Sequence, residues 1–145
     1  MEQFTPRDPD YRKKITESFA HQRVMETIGA SLMEVEPGRV TIRMEYDARI
    51  TQQDGFVHAG IISTVVDSAC GYAALSLMDS DRRVLSIEFK VNLLAPAVGD
   101  YFLATGSVRK SGKTIVVTEG ELVSVKDGEK KLSATMVATM MSVAG

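Results

Sequence analysis

One cysteine and two histidines occur among the 145 residues. A lone Cys70 cannot close an intrachain disulfide, and a zinc site of the Cys or Cys/His type needs more ligands than Cys70, His21 and His58 supply. The expectation is a reducing, cytoplasmic setting with no structural metal and no resident cofactor. A surplus of positive charge is also missing: 17 Lys and Arg stand against 19 Asp and Glu, for a formal net charge of -2. A phosphate polymer therefore meets no basic field, and nucleic-acid binding is not expected. The first residues lack the apolar core of a secretory signal. The longest apolar stretch, Ile61 to Met78, is interrupted by Asp67, Gly71 and several hydroxyls. An acid at the centre of a lipid-exposed helix is costly, so the stretch reads as a buried helix and no membrane partner is expected.

What is present describes one globular domain, with 44% apolar and 25% charged residues. Residues 1–9 carry two prolines and read as a flexible arm. Tyr11, Ile15 and Phe19 recur at helical spacing, which predicts a helix over 10–20 that can continue to Thr27. Residues 31–36, the Pro37-Gly38 turn and residues 39–46 form a strand, a turn and a second strand, with Val40, Ile42, Met44 and Tyr46 alternating against polar neighbours. The segment 58–78 is the central helix. Leu85, Ile87, Phe89, Val91 and Leu93 then alternate with Ser86, Glu88, Lys90 and Asn92, and three more strands follow over 101–109, 114–125 and 131–143. Ser111-Gly112 and Asp127-Gly128 are hairpin turns, and the last four strands are expected to run as an antiparallel meander. One apolar helix and six strands pack economically as a curled antiparallel sheet wrapped round the helix, the α+β hot-dog arrangement spanning 10–145. Such a sheet leaves open edges, so a homodimer is expected, with a dimer of dimers beyond it.

Asp67 is the one ionisable side chain inside the central helix, and a carboxylate there needs a partner or a purpose. Gly60, Ser63, Thr64, Cys70, Gly71 and Ala74 lie three, four or seven positions away, so the flank beside it is lined with small residues. That arrangement suits a slim ligand; it equally suits close helix packing. His58 stands at the helix start, where free N–H groups favour developing negative charge, although a single His there is commonly a cap.

The run Gln52-Gln53-Asp54-Gly55-Phe56-Val57-His58-Ala59-Gly60, with Asp67 nine residues after the histidine, resembles the signature of PaaI-type hot-dog acyl-CoA thioesterases. The resemblance extends through Ser86-Ile87-Glu88-Phe89, Leu94-Ala95-Pro96-Ala97 and the hairpin Arg109-Lys110-Ser111-Gly112-Lys113, and so covers the chain from about residue 21 onward. It implies an acyl-CoA substrate, with Asp67 as nucleophile or general base and the backbone N–H of Ala59 as oxyanion donor, where the family has Gly. It also implies Gln52 as the amide that holds substrate or water, and Ser86 as a polar residue facing the reaction centre. Ser86 reads equally as an outward position of its strand. Gly55, His58, Gly60 and Thr64 complete the expected site.

At about 1.5 Å per residue, the amide of Ala59 and the carboxylate of Asp67 lie roughly 12 Å apart along one helix. They cannot serve one carbonyl. The expected active site is therefore composite, with Gln52, His58 and Ala59 from one subunit and Asp67 and Ser86 from its partner. Arg109, Lys110 and Lys113 round Ser111-Gly112 suit the phosphates of coenzyme A, although charged tips are often only solvated. Two rival activities share this fold: an acyl-thioester dehydratase or hydratase using His58 and Asp67, and a non-catalytic acyl-CoA sensor.

Overall fold

The computed structural model describes residues 3–145. Two short helices, α1 (Tyr11–His21) and α2 (Arg23–Thr27), precede strands β1 (Ala30–Glu36) and β2 (Arg39–Glu45). A 3-10 turn (Ala48–Ile50) leads to the central helix α3 (Ala59–Leu75), and β3 (Arg82–Leu93), β4 (Tyr101–Ser111), β5 (Ile115–Lys126) and β6 (Glu129–Ala144) follow. The six strands form one antiparallel sheet wrapped round α3, which is the hot-dog architecture. Of the arm expected over 1–9, residues 1 and 2 lie outside the described residues; Phe4 packs against the core beside Gly38, and Asp8 is buried with Oδ1 accepting from the Asp10 N–H (2.8 Å). Among the described residues no helix is long and apolar enough to cross a membrane.

The strand order β1-β2-β4-β5-β6-β3 corrects the expected four-strand meander. Only β4, β5 and β6 run as consecutive hairpins; β4 pairs with β2, and β3 crosses to the far edge beside β6. The reason lies in α3, which connects β2 to β3 and carries the chain across the sheet's concave face before β3 is laid down. Alternating hydrophobicity reports that a strand is half-buried and carries no information on which neighbour it takes.

The N-terminal helix also departs from expectation, because it breaks at Gln22. Gln22 adopts an extended conformation, and its side chain bridges two residues one turn apart on α3. Its Oε1 accepts from Ser68 Oγ (2.8 Å) and its Nε2 donates to the Tyr72 hydroxyl (2.7 Å). These side-chain groups satisfy one another, so among the described residues the break leaves no buried side-chain donor or acceptor unpaired. At the other end α3 stops three residues sooner than expected: the buried Ser76 hydroxyl donates to the Ala73 carbonyl (2.6 Å) and accepts from the Gly38 N–H (2.8 Å), which closes the last turn.

Two glycines set how closely α3 approaches the sheet. Gly106 on β4 and Gly120 on β5 are directly paired across the ladder. A Cβ at Gly106 would lie 2.4 Å from backbone atoms of Ala69 and Cys70, and one at Gly120 would lie 2.6 Å from Val66 Cγ1 and 2.7 Å from Cys70 Sγ. The helix backbone thus rests in a trough where the sheet has no side chains. The rest of α3 is buried apart from the exposed Ala59, the half-buried Ile61 and the stripe Gly60, Ser63, Thr64, Asp67 and Gly71. Gly106→Ala has no room to relax because its neighbour is backbone; it should lower unfolding free energy by at least about 2 kcal/mol, read as a lower urea midpoint at unchanged m.

Candidate active site

The loop before α3 is a small closed turn. Thr51 bridges Val57, the Gln52 N–H donates to the Phe56 carbonyl (2.8 Å), and the Gly55 N–H donates to the Gln52 carbonyl (3.0 Å). Gly55 takes φ 84°, a left-handed conformation that favours glycine. The Gln52 side chain is oriented by the same turn: Oε1 accepts from the N–H groups of Asp54 (2.6 Å) and Phe56 (3.3 Å). Both partners are backbone donors, so the atom facing them must be the carbonyl oxygen and the amide Nε2 is left to donate outward.

His58 is the N-cap of α3 and not its first helical residue, which amends the expected helix start. Its Nδ1 accepts from the Gly60 N–H (2.8 Å), and its carbonyl accepts from Ile61 (2.9 Å) and Ile62 (3.1 Å). Gly60 has little space for a side chain, since a Cβ would sit 3.1 Å from His58 Nδ1. Of the first four helical amides these bonds occupy three. The Ala59 N–H has no acceptor among the described residues and is exposed at the positive end of the helix dipole. Gln52 and Ala59 share one cleft of about 370 Å³, whose walls include Phe56, Ile62, Leu94 and Pro96.

Asp67 lies on the open stripe two turns further along, half-buried, with Oδ1 accepting from Ser86 Oγ (2.6 Å). Ser86 therefore turns its hydroxyl toward the helix. The alternation along β3 concealed this because the strand carries a bulge: Ser86 pairs with Met140 but Glu88 pairs with Thr139, so Ile87 is an extra residue and inside and outside exchange there. Ser86, Phe89, Val91 and Leu93 oppose the buried Met140, Ala138, Met136 and Ala134, and on this edge strand Leu85, Ile87, Phe89 and Leu93 all remain 44–56% exposed. The hydroxyls of Ser63 and Thr64 do not reach Asp67; they donate to the carbonyls of Ala59 (2.9 Å) and Gly60 (2.8 Å).

One chain thus brings Gln52 and Ala59 together, and separately Asp67 and Ser86, with about two helical turns between the pairs. The hairpin expected to meet phosphates is exposed at the tip of β4 and β5, where Gly112 N–H donates to the Ile115 carbonyl (2.9 Å). Arg109 is paired with Glu119 (3.4 Å), while Lys110 and Lys113 have no ion-pair partner among the described residues. The register places Ser111, Val116, Met140 and Ser86 in one row across four strands, so the hairpin and Ser86 lie roughly 14 Å apart, three strand spacings. The hairpin thus shares a row of the sheet with the partner of Asp67. The cleft walls escaped notice in the sequence, although Leu93-Leu94-Ala95-Pro96-Ala97 is an apolar run that outlasts its strand and could have pointed to them.

A curled sheet round one helix, with a free helix-start amide and a hydroxyl-bound carboxylate, defines a hot-dog protein built for acyl-thioester chemistry. Residues 54–131, more than half of the chain, match the family model of the thioesterase superfamily, and the chain belongs to that family of thioester hydrolases. A thioesterase family protein from Silicibacter pomeroyi is similar in structure, at TM-score 0.92 and 50% identity over 93% of this chain and 99% of that one. The PaaI protein of Escherichia coli has the same fold (TM-score 0.83, 20% identity, 94% and 95% covered). Acyl-coenzyme A thioesterase 13 of Homo sapiens is 27% identical over 81% of this chain and 82% of its own length.

Cys70, the other candidate nucleophile near this stretch of helix, is fully buried, and burial pushes its thiol up to about 12. A thiol so placed is inert. A disulfide reagent at pH 8 should leave the folded protein unmodified and titrate one thiol after denaturation.

Proposed function

We propose that this protein hydrolyses acyl-CoA thioesters to the free acid and CoA as a homodimer whose active sites combine the two half-sites of different subunits. The observation that carries the reading is the separation of the two pairs: an oxyanion donor and a base each need to approach within about 3 Å of one carbonyl, and a single helix holds them about 12 Å apart. A second copy supplies the missing half. The open stripe of α3, which carries Ser63, Thr64 and Asp67, and the apolar β3 edge, where Leu85, Ile87 and Phe89 are 56%, 52% and 44% exposed, form the flank that such a copy would cover.

In this arrangement the thioester oxygen accepts from the Ala59 N–H, with the outward Nε2 of Gln52 as a second donor to substrate or water. Asp67 of the other subunit, steadied by Ser86, presents its remaining oxygen to the carbonyl carbon. It takes a proton from a water that attacks, or attacks directly; the C–S bond then breaks, the CoA thiolate leaves and is protonated, and after direct attack a water cleaves the mixed anhydride formed on Asp67, which releases the acid and restores the carboxylate. His58 acts by capping the helix, which keeps the Ala59 amide aimed, and Gly55 keeps Gln52 aimed. Lys110, Lys113 and the partly neutralised Arg109 meet the CoA phosphates beside Ser111 and Gly112. Because the donor at Ala59 is backbone, the methyl group that replaces the family's glycine does not remove it.

Two variants test this. Asp67→Ala should lower kcat by about 10³-fold with the fold intact, as expected for loss of a general base or nucleophile. Proline is accepted at the first helical position but has no N–H, so Ala59→Pro should fold and lose about 10²- to 10³-fold in kcat. Mixing the two after dissociation should restore about a quarter of wild-type thiol release, since about half of randomly re-formed dimers are mixed and each carries one intact site of two. No recovery on mixing would show that each subunit works alone.

A further inference from the structure

We propose that the cleft beside Ala59 receives the acyl chain and makes the enzyme selective for apolar acyl groups larger than a benzene ring over charged or hydroxylated ones; this rests on the acyl-CoA hydrolase reading above. The cleft holds about 370 Å³, more than twice the roughly 150 Å³ apolar cavity that accommodates benzene. Among the described residues Gln52 carries the one polar side chain in its lining, which it shares with Ala59. Beyond them the surface is hydrocarbon: Ile62 and Ala97 form a buried floor, and Leu93 and Leu94, 53% and 55% exposed, form a mouth with Phe56 and Pro96. Past Gln52 and Ala59, a carboxylate or hydroxyl carried on the acyl group would meet no side-chain donor or cation in the lining. Each methylene seated there should raise kcat/KM several-fold.

The direction of the substrate follows from the sheet. The two substituents of a thioester carbonyl point away from each other. The cationic hairpin of 109–113 shares its row with Ser86, near the opposite end of β3 from Leu93. With the phosphates drawn to the hairpin of the subunit that supplies Asp67, the acyl chain is directed into the cleft of the subunit that supplies Ala59. A competing route exists: a second hollow of about 730 Å³ shares Phe56 and Pro96 with the cleft and is edged by Lys126, Lys130 and Lys131 as well as Asp127 and Glu129. If CoA followed those lysines, the cleft would hold the pantetheine arm instead.

Ala95, half-buried in the cleft wall, gives the test as Ala95→Phe, with Leu94→Asp at the exposed mouth as a second variant that spares the core. Thiol release is followed with acetyl-, decanoyl- and succinyl-CoA, and binding is measured by calorimetry with CoA and with the non-hydrolysable S-decyl thioether of CoA. The wild type should prefer decanoyl- over acetyl- and succinyl-CoA by at least about 100-fold in kcat/KM. Each variant should cut the decanoyl-to-acetyl ratio and the thioether affinity by at least about tenfold while CoA itself binds within about twofold of wild type. An unchanged ratio, a preference for succinyl-CoA, or equal losses for CoA and the thioether would overturn the proposal, the last by assigning the cleft to pantetheine. Discriminating thioether binding with no thiol release from any substrate would uphold the acyl cleft and refute the hydrolytic reading; thiol release with a flat chain-length profile would do the reverse.

Discussion

The structure turns on the absence of two side chains. Gly106 and Gly120, paired across β4 and β5, let the backbone of α3 settle against the sheet at Ala69 and Cys70, closer than any Cβ would permit. That seating depth decides what the ends and flanks of the helix can reach. Asp67 comes within hydrogen-bonding distance of Ser86 on the edge strand, and the N-terminus of α3 arrives at the loop of Gln52 and the apolar segment that follows β3. The clasp of Gln22 on Ser68 and Tyr72 holds the helix from another side and opposes rotation about its axis.

Both half-sites use one polar group to fix another. Gln52 gives its carbonyl to two loop amides and keeps its NH₂ group for the cleft, and His58 gives Nδ1 to Gly60 while its neighbour's N–H stays unengaged. Ser86 gives its proton to one carboxylate oxygen and leaves the other. Groups already bonded to a rigid frame do not need to reorganise when charge develops, which is how fixed dipoles favour a transition state over the ground state.

Much of this was legible before any coordinates. The apolar run of 58–78 pointed to the helix that forms over Ala59–Leu75, the lone acid within it singled out Asp67, and the family resemblance carried by Gln52, Gly55, His58 and Gly60 drew attention to the loop. Three features were not legible, each for a physical reason. Strand order is set by where the crossover helix delivers the chain, and alternation along β3 is the same beside β4 or beside β6. Gly106 and Gly120 look like ordinary strand interruptions until the helix lies over them. The break at Gln22 depends on partners some fifty residues away, Ser68 and Tyr72, while local propensity favours a continuous helix.

The extra residue at Ile87 has a wider bearing. Because one inserted position exchanges the two faces of everything beyond it, β3 can show a serine to the carboxylate and then three hydrophobic residues on that same side. Loss of one residue at the bulge would thus put both halves of the strand in one phase, so that Ser86 and the hydrophobic row could no longer share a face. Kinship among such enzymes is then better judged by strand phase than by matched columns of residues.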